Sequence, residues 1–215
     1  MDVVNEFNHK LHIIYKYAEK NGGPGIARQI GLDTCYQMNF NEVMFLDSDD
    51  MLFPNAVARL TYEIRHTNSD LISSKIWAEG KDGCGGYIEA DNKTWLHGKI
   101  YRLSYLKNNQ INFPPIRSNE DLAFNLMAIE NSKKRKIIDE ALYLFRHEDN
   151  SLTRGKDKSL TLFSYDYITA IYIAMKYLES KNKISLQMIL NTIATYNYYQ
   201  LGKCFDIIPT EEIKD

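Results

Sequence analysis

VMFLDSDDMLFPNAV, residues 43–57, runs from four apolar residues into three carboxylates within four positions and then into a proline. An apolar run of this length reads as a buried strand. Pro54 suits a helix start, because its φ is already helical and its missing N–H is not needed in the first turn. Asp47, Asp49 and Asp50 therefore fall between a strand end and a helix start. Alone, acids at that place are ordinary turn residues, since Asp and Ser bond back to nearby backbone. In an open α/β sheet, however, the carboxyl end of a buried strand faces the crevice where ligands bind, and oxygen ligands there suit Mg²⁺ or Mn²⁺ holding a diphosphate.

Working outward, the same alternation of strand and helix continues. LHIIY (11–15) is a short β-branched run that predicts a strand, and NGGPGIARQIGLD (21–33) breaks with glycines and enters a helix through Pro24. PNAVARLTYEIRHT (54–67) has apolar residues at helical spacing. DLISSKIWAEG (70–80) predicts a strand that turns through KDGCGG toward a hairpin partner in GYIEA (86–90). After a Pro-Pro loop, SNEDLAFNLMAIENSKK (118–134) predicts a helix that Ser118 can cap, with Glu120 and Asp121 in its first turn. RKIIDEALYLFR (135–146) supplies one or two strands. From Ser159 onward two Tyr-rich amphipathic segments predict helices.

Composition bounds the rest. The 215 residues are 44% hydrophobic and 25% charged, enough for one or two globular domains with a sizeable core. A formal net charge of −2 shows no basic field of the kind that gathers nucleic-acid phosphates, so a nucleic acid acceptor has no support. Three scattered cysteines without CxxC spacing argue against a disulfide scaffold and a zinc knuckle. No basic-then-apolar leader and no run long enough to span a bilayer is present in the sequence, which predicts a cytoplasmic protein that could still work at the inner face of the membrane.

Five segments in one order carry a resemblance: NGGPGIARQIGL, VMFLDSDDMLFPNAV, WLHGKIYR (95–102), SNEDLAF (118–124) and YLFRHEDNSLT (143–153). Together they resemble the ordered signature of family 2 glycosyltransferases with the GT-A fold. The resemblance implies an α/β, Rossmann-like mixed sheet flanked by helices over residues 1–155, lacking the usual first βαβ unit; the helical appendix at 156–215 is read from its amphipathic pattern and has no assignable counterpart in the family. It makes DSD the DXD motif, with Asp47 near the ribose or sugar of the donor, Asp49 on a divalent metal, and Asp50 either in the site or capping the next helix. It places the catalytic base at Asp121 with Glu120 beside it, and a further metal ligand at His147. His97 and Gly98 match a loop where a missing side chain lets donor or acceptor approach the backbone, while Lys99 reads as a strand-flanking charge. Arg28 matches the arginine of an ARN segment near the donor nucleotide, although the family's Asn is Gln29 here.

The implied activity is an inverting, metal-dependent transfer of a sugar from a nucleoside-diphosphate donor, UDP being the commonest carrier, to an acceptor hydroxyl in surface polysaccharide or glycan synthesis. Mn²⁺ or Mg²⁺ is the implied cofactor, and the Tyr-rich helices are candidates for core or an oligomer interface. Two rivals stand beside it. One is a degenerate sugar-nucleotide-binding module without turnover, and the other a haloacid-dehalogenase-type phosphatase with Asp47 as nucleophile.

Overall fold

The computed structural model of the chain describes residues 6–7, 9–80, 84–147 and 160–185, with the backbone alone for 160–164. Gly23, left-handed at φ +85°, turns the chain into α1 (Pro24–Gln37), which starts on its proline. β1 (Glu42–Met44) leads to the acidic turn and the two-residue β2 (Met51–Leu52), and α2 (Ala56–Thr67) follows Pro54. α2 closes on Asn68 in the left-handed region, with Arg65 and His66 in its last turn beside the exposed carbonyls. β3 (Leu71–Glu79) and β4 (Gly85–Ile88) form the expected hairpin pair. Then come β5 (Lys99–Arg102), α3 (Leu103–Asn109), α4 (Glu120–Asn131), a single β6 (Arg135–Phe145) and α5 (Leu160–Ser180).

Residues 11–15 depart from expectation, because no strand forms there. A β-branched run becomes a strand only where a neighbouring strand supplies hydrogen bonds and a face to pack on. Among the described residues none lies beside it, and Leu11 and Tyr15 are 60% and 63% exposed. Ser118 also differs from its expected role. The residue preceding α4 is Asn119, held left-handed at φ +60° without a side-chain cap, while the Ser118 hydroxyl donates to Asp166 of α5 at 2.8 Å.

The described strands form one sheet in the order β1-β5-β3-β6-β2, with β4 paired to the far half of β3. β3 and β6 run parallel, and the other pairs are antiparallel. Register sorts the side chains between two cores, since successive residues on a strand face opposite sides. Val43, Tyr101 and Leu71 align across three strands and face the layer of α1, α3 and α4, where Leu32, Leu106 and Phe124 meet them. One residue along, Met44, Ile100 and Ile72 align and face α2, whose Leu60 and Ile64 are fully buried. α5 lies on α4, packing Tyr167 and Ala170 against Leu122 and Ala123. No described helix is long and apolar enough to cross a membrane. The second Tyr-rich segment, from Leu186 onward, lies outside the described residues.

Candidate active site

Four elements bring charge to one end of the sheet. From the second turn of α1, Arg28 donates through Nη2 to both oxygens of Asp47 (2.7 and 2.8 Å) and through Nη1 to Glu120 (2.6 Å). The acidic turn at Asp47 and the first turn of α4, distant in sequence, are thereby joined by one guanidinium. α1 comes this close because Gly25 has no side chain: a Cβ there would fall 2.6 Å from Cγ of Glu120. His97, buried ahead of β5, places Nε2 3.0 Å from Asp47 and 3.8 Å from Asp50. Its ring lies against Tyr143 at 4.8 Å between centroids, and Trp95 and Phe145 extend the aromatic wall at 4.7 Å from each other.

Asp50 does not cap α2. Its carboxylate turns the other way and accepts the Tyr143 hydroxyl at 2.6 Å and the Arg146 backbone N–H at 2.9 Å, tying the acidic turn to the end of β6. Tyr143 in turn accepts the Asp47 backbone N–H at 3.3 Å. Asp121 accepts its neighbour Leu122's N–H at 2.9 Å. Asp49 is exposed on the same turn. His147 stands at the end of β6, where its backbone N–H donates to Glu79 at 3.3 Å. Gly98, left-handed at φ +68°, spends its missing side chain on packing: a Cβ would lie 3.1 Å from Ser74 and Ile76, and its carbonyl accepts from the Ser74 backbone (2.8 Å) and hydroxyl (2.9 Å).

The charges are strongly differentiated. Burial alone would raise Asp47, but the hydrogen bond from His97 and the charge and hydrogen bonds of Arg28 outweigh it, and its carboxyl sits well below the usual range. Glu120 goes the other way, pushed up to about 7 by burial and by the adjacent Asp121 against the opposing charge of Arg28. Burial also raises Asp121 and Asp50. One acid is thus pinned ionised beside three that burial holds nearer to neutral, the contrast expected where carboxylates have different tasks.

Asp47, Asp50 and His97 offer ligand atoms within 4.8 Å of one another, the group of this kind found among the described residues. Carboxylate oxygens fit a hard divalent cation, and Asp50 with the exposed Asp49 keeps lone pairs open to one. The imidazole fits less well. Its Nδ1 is buried with no hydrogen-bond partner, whereas a metal-bound histidine almost always donates through its second nitrogen. His97 is built as an Nε2–H donor to Asp47.

Sequence reasoning passed over Gly25, Tyr143 and Asn125, and it took Lys99 for a flanking charge. Lys99 is in fact buried, and burial holds its ammonium down to about 7. Tyr143 had a signal: with Phe145 it alternates along β6, and period two places both on one face.

No protein-family model matches the chain. The poly(ribitol-phosphate) β-N-acetylglucosaminyltransferase TarS of Staphylococcus aureus is 29% identical over 161 residues, 67% of this chain and 27% of that protein. Glycosyltransferase EpsJ of Bacillus subtilis, itself uncharacterized, is 25% identical over 63% of this chain and 45% of its own length. The chain thus spans roughly a quarter to a half of the curated relatives it matches. Among solved structures, S. aureus TarS 1–349 in complex with UDP-GlcNAc superposes with a TM-score of 0.63 at 23% identity, over 80% of this chain and 53% of that one. The same fragment in complex with UDP gives 0.56 at 20% identity, over 91% and 66%. The chain resembles the family 2 glycosyltransferases in sequence, and its fold is GT-A.

Proposed function

We propose that this chain carries the catalytic part of a glycosyltransferase that moves a sugar from a nucleoside-diphosphate donor, a UDP-sugar, to an acceptor hydroxyl with inversion. The observation that supports it most is the Arg28 bridge, which gathers the acidic turn, Glu120 and Asp121 at one end of a GT-A sheet. The relative TarS, named a poly(ribitol-phosphate) β-N-acetylglucosaminyltransferase, favours a hydroxyl-bearing polymer as the acceptor's class, and a surface glycan is the acceptor proposed.

In this reading Asp121 accepts the proton of the acceptor hydroxyl as it attacks the anomeric carbon opposite the diphosphate, and its burial raises its basicity for that task. Glu120 holds Arg28, and Arg28 keeps Asp47 ionised toward the donor. Asp49 and Asp50, with His147 the further ligand the resemblance assigns, would hold a divalent cation, Mn²⁺ or Mg²⁺, which would supply neutralisation of charge on the departing diphosphate. The aromatic wall of Trp95, Tyr143 and Phe145 limits water around His97.

The test screens nucleotide sugars with Mn²⁺ for thermal stabilisation and for turnover. Asp49→Ala is expected to remove metal-dependent donor binding, and Asp121→Asn to keep binding and lose transfer. Full activity in both variants sinks the site assignment. Donor binding in the unaltered chain without turnover on any acceptor supports the binding-module alternative instead.

A further inference from the structure

α4 carries Asp121 in its first turn and Asn125 four residues later, on the same face of the helix. Asn125 is fully buried and uses its whole amide: Nδ2 donates to the carbonyls of Lys93 (3.0 Å) and Trp95 (2.7 Å), and Oδ1 accepts the Tyr101 hydroxyl (2.9 Å). Lys99, 2% exposed at the start of β5, reaches back with Nζ to the same Trp95 carbonyl at 2.5 Å. Burying an amide and an amine is expensive unless they are bonded, and here both Asn125 donors and Lys99 are spent on the carbonyls of Lys93 and Trp95.

What these bonds hold is the loop that delivers His97. Asn92 fixes the loop's start by accepting the backbone N–H groups of Thr94 (2.8 Å) and Trp95 (2.9 Å), Leu96 is fully buried, and Ser74 grips the Gly98 carbonyl. Between these anchors His97 is presented to Asp47. We propose that Asn125 and Lys99 are positioning residues, clamping the Lys93 and Trp95 carbonyls so that His97 is held on Asp47 by the same helix that carries Asp121. The assignment deepens the transferase reading, on which its kinetic part rests. It explains why a lysine is buried where the sequence suggests only a flanking charge, and why a helix next to the site carries a buried amide.

Asn125→Asp keeps the shape and the acceptor for Tyr101 but removes both donors, and Lys99→Met keeps the stem without the ammonium. Tyr101→Phe only frees the Asn125 amide, and it carries the test if either of the others fails to fold. The measurements are thermal unfolding, the His97 imidazole resonances by NMR without added ligand, and kcat and KM for UDP-GlcNAc with Mn²⁺. In folded variants the His97 resonances are expected to move. kcat is expected to fall by about 10–100-fold, as displacement of positioned groups does, while the donor KM changes far less. Tyr101→Phe should give a smaller change in the same direction. A lowered melting temperature with wild-type His97 resonances and wild-type kcat per folded molecule would overturn the proposal. If the unaltered chain shows no turnover, the transferase reading fails by itself, and movement or constancy of the His97 resonances still decides the positioning role.

Discussion

Glu120 is the residue at which fold stability and site chemistry pull against each other. It is 3% exposed, bonded to Arg28, and its carboxyl is pushed up to about 7 by burial and by Asp121. Between its ordinary value of 4.5 and about 7 the folded state binds a proton that the unfolded chain has already released. Stability from this group is therefore fully present below pH 4.5 and is lost as pH rises through 7. Glu120→Gln removes that titration. Relative to the variant, the unaltered protein should lose up to about 3 kcal/mol between pH 4.5 and 7.5, the linkage equivalent of the shift. Urea unfolding of both proteins at the two pH values measures the difference, and parallel changes would show that Glu120 does not titrate in this window. The sequence made Glu120 and Asp121 visible as a pair in a helix's first turn. Their separation from ordinary capping acids needed Arg28, which only the fold brings to them.

At the scale of elements, the approach of α1 to α4 sets the site, and Gly25 permits it. A Cβ at Gly25 meets Cγ of Glu120 at 2.6 Å, and Glu120 is buried and already tied to Arg28, so it has little room to yield. Gly31, later on α1, has open space around its missing side chain. Gly25→Ala should cost about 1–3 kcal/mol by overpacking, and weaken donor binding by shifting the Arg28 bridge. Gly31→Ala should be neutral or stabilise by up to about 1 kcal/mol through helix propensity alone. Thermal unfolding of the two variants separates these effects, and equal behaviour would remove the close-approach argument. Helix spacing and the proline starts made α1, α2 and α4 legible in the sequence. The strand predicted at residues 11–15 misled because β-branching reports fit to a partner strand, which lies beyond any local window. For the same reason Asp50 could be read as a cap and Lys99 as a flanking charge: their partners, Tyr143 and the Trp95 carbonyl, come from other parts of the chain.

At the scale of the whole molecule, the sheet is held from its middle. β3 is bonded along one side to β6 and along the other to β5 and then β4, whereas β1 pairs only with β5 among the described strands. The two apolar cores meet the central strands from opposite faces, through Leu71 and Ile72, both fully buried. β4, paired only with β3 among the described strands, has Tyr87 62% exposed. Opening β3 breaks both cores and three ladders together, while β1 or β4 can fray at the cost of one ladder. Amide hydrogen exchange should therefore be slowest at Ile72, Ser73 and Ile76, approaching the rate set by global unfolding, and faster by orders of magnitude at Val43, Met44 and Tyr87. Uniform protection across these positions would mean that the sheet opens as one unit. The expected gradient also places the acidic turn, which leaves the lightly bonded β1, next to the part of the sheet freest to adjust. Asp50, bonded to Tyr143 and Arg146, is then what keeps that turn in register with β6. Asp50→Asn, which leaves an amide where Tyr143 and Arg146 both donate, should raise exchange at Val43 and Met44 and leave Ile72 unchanged.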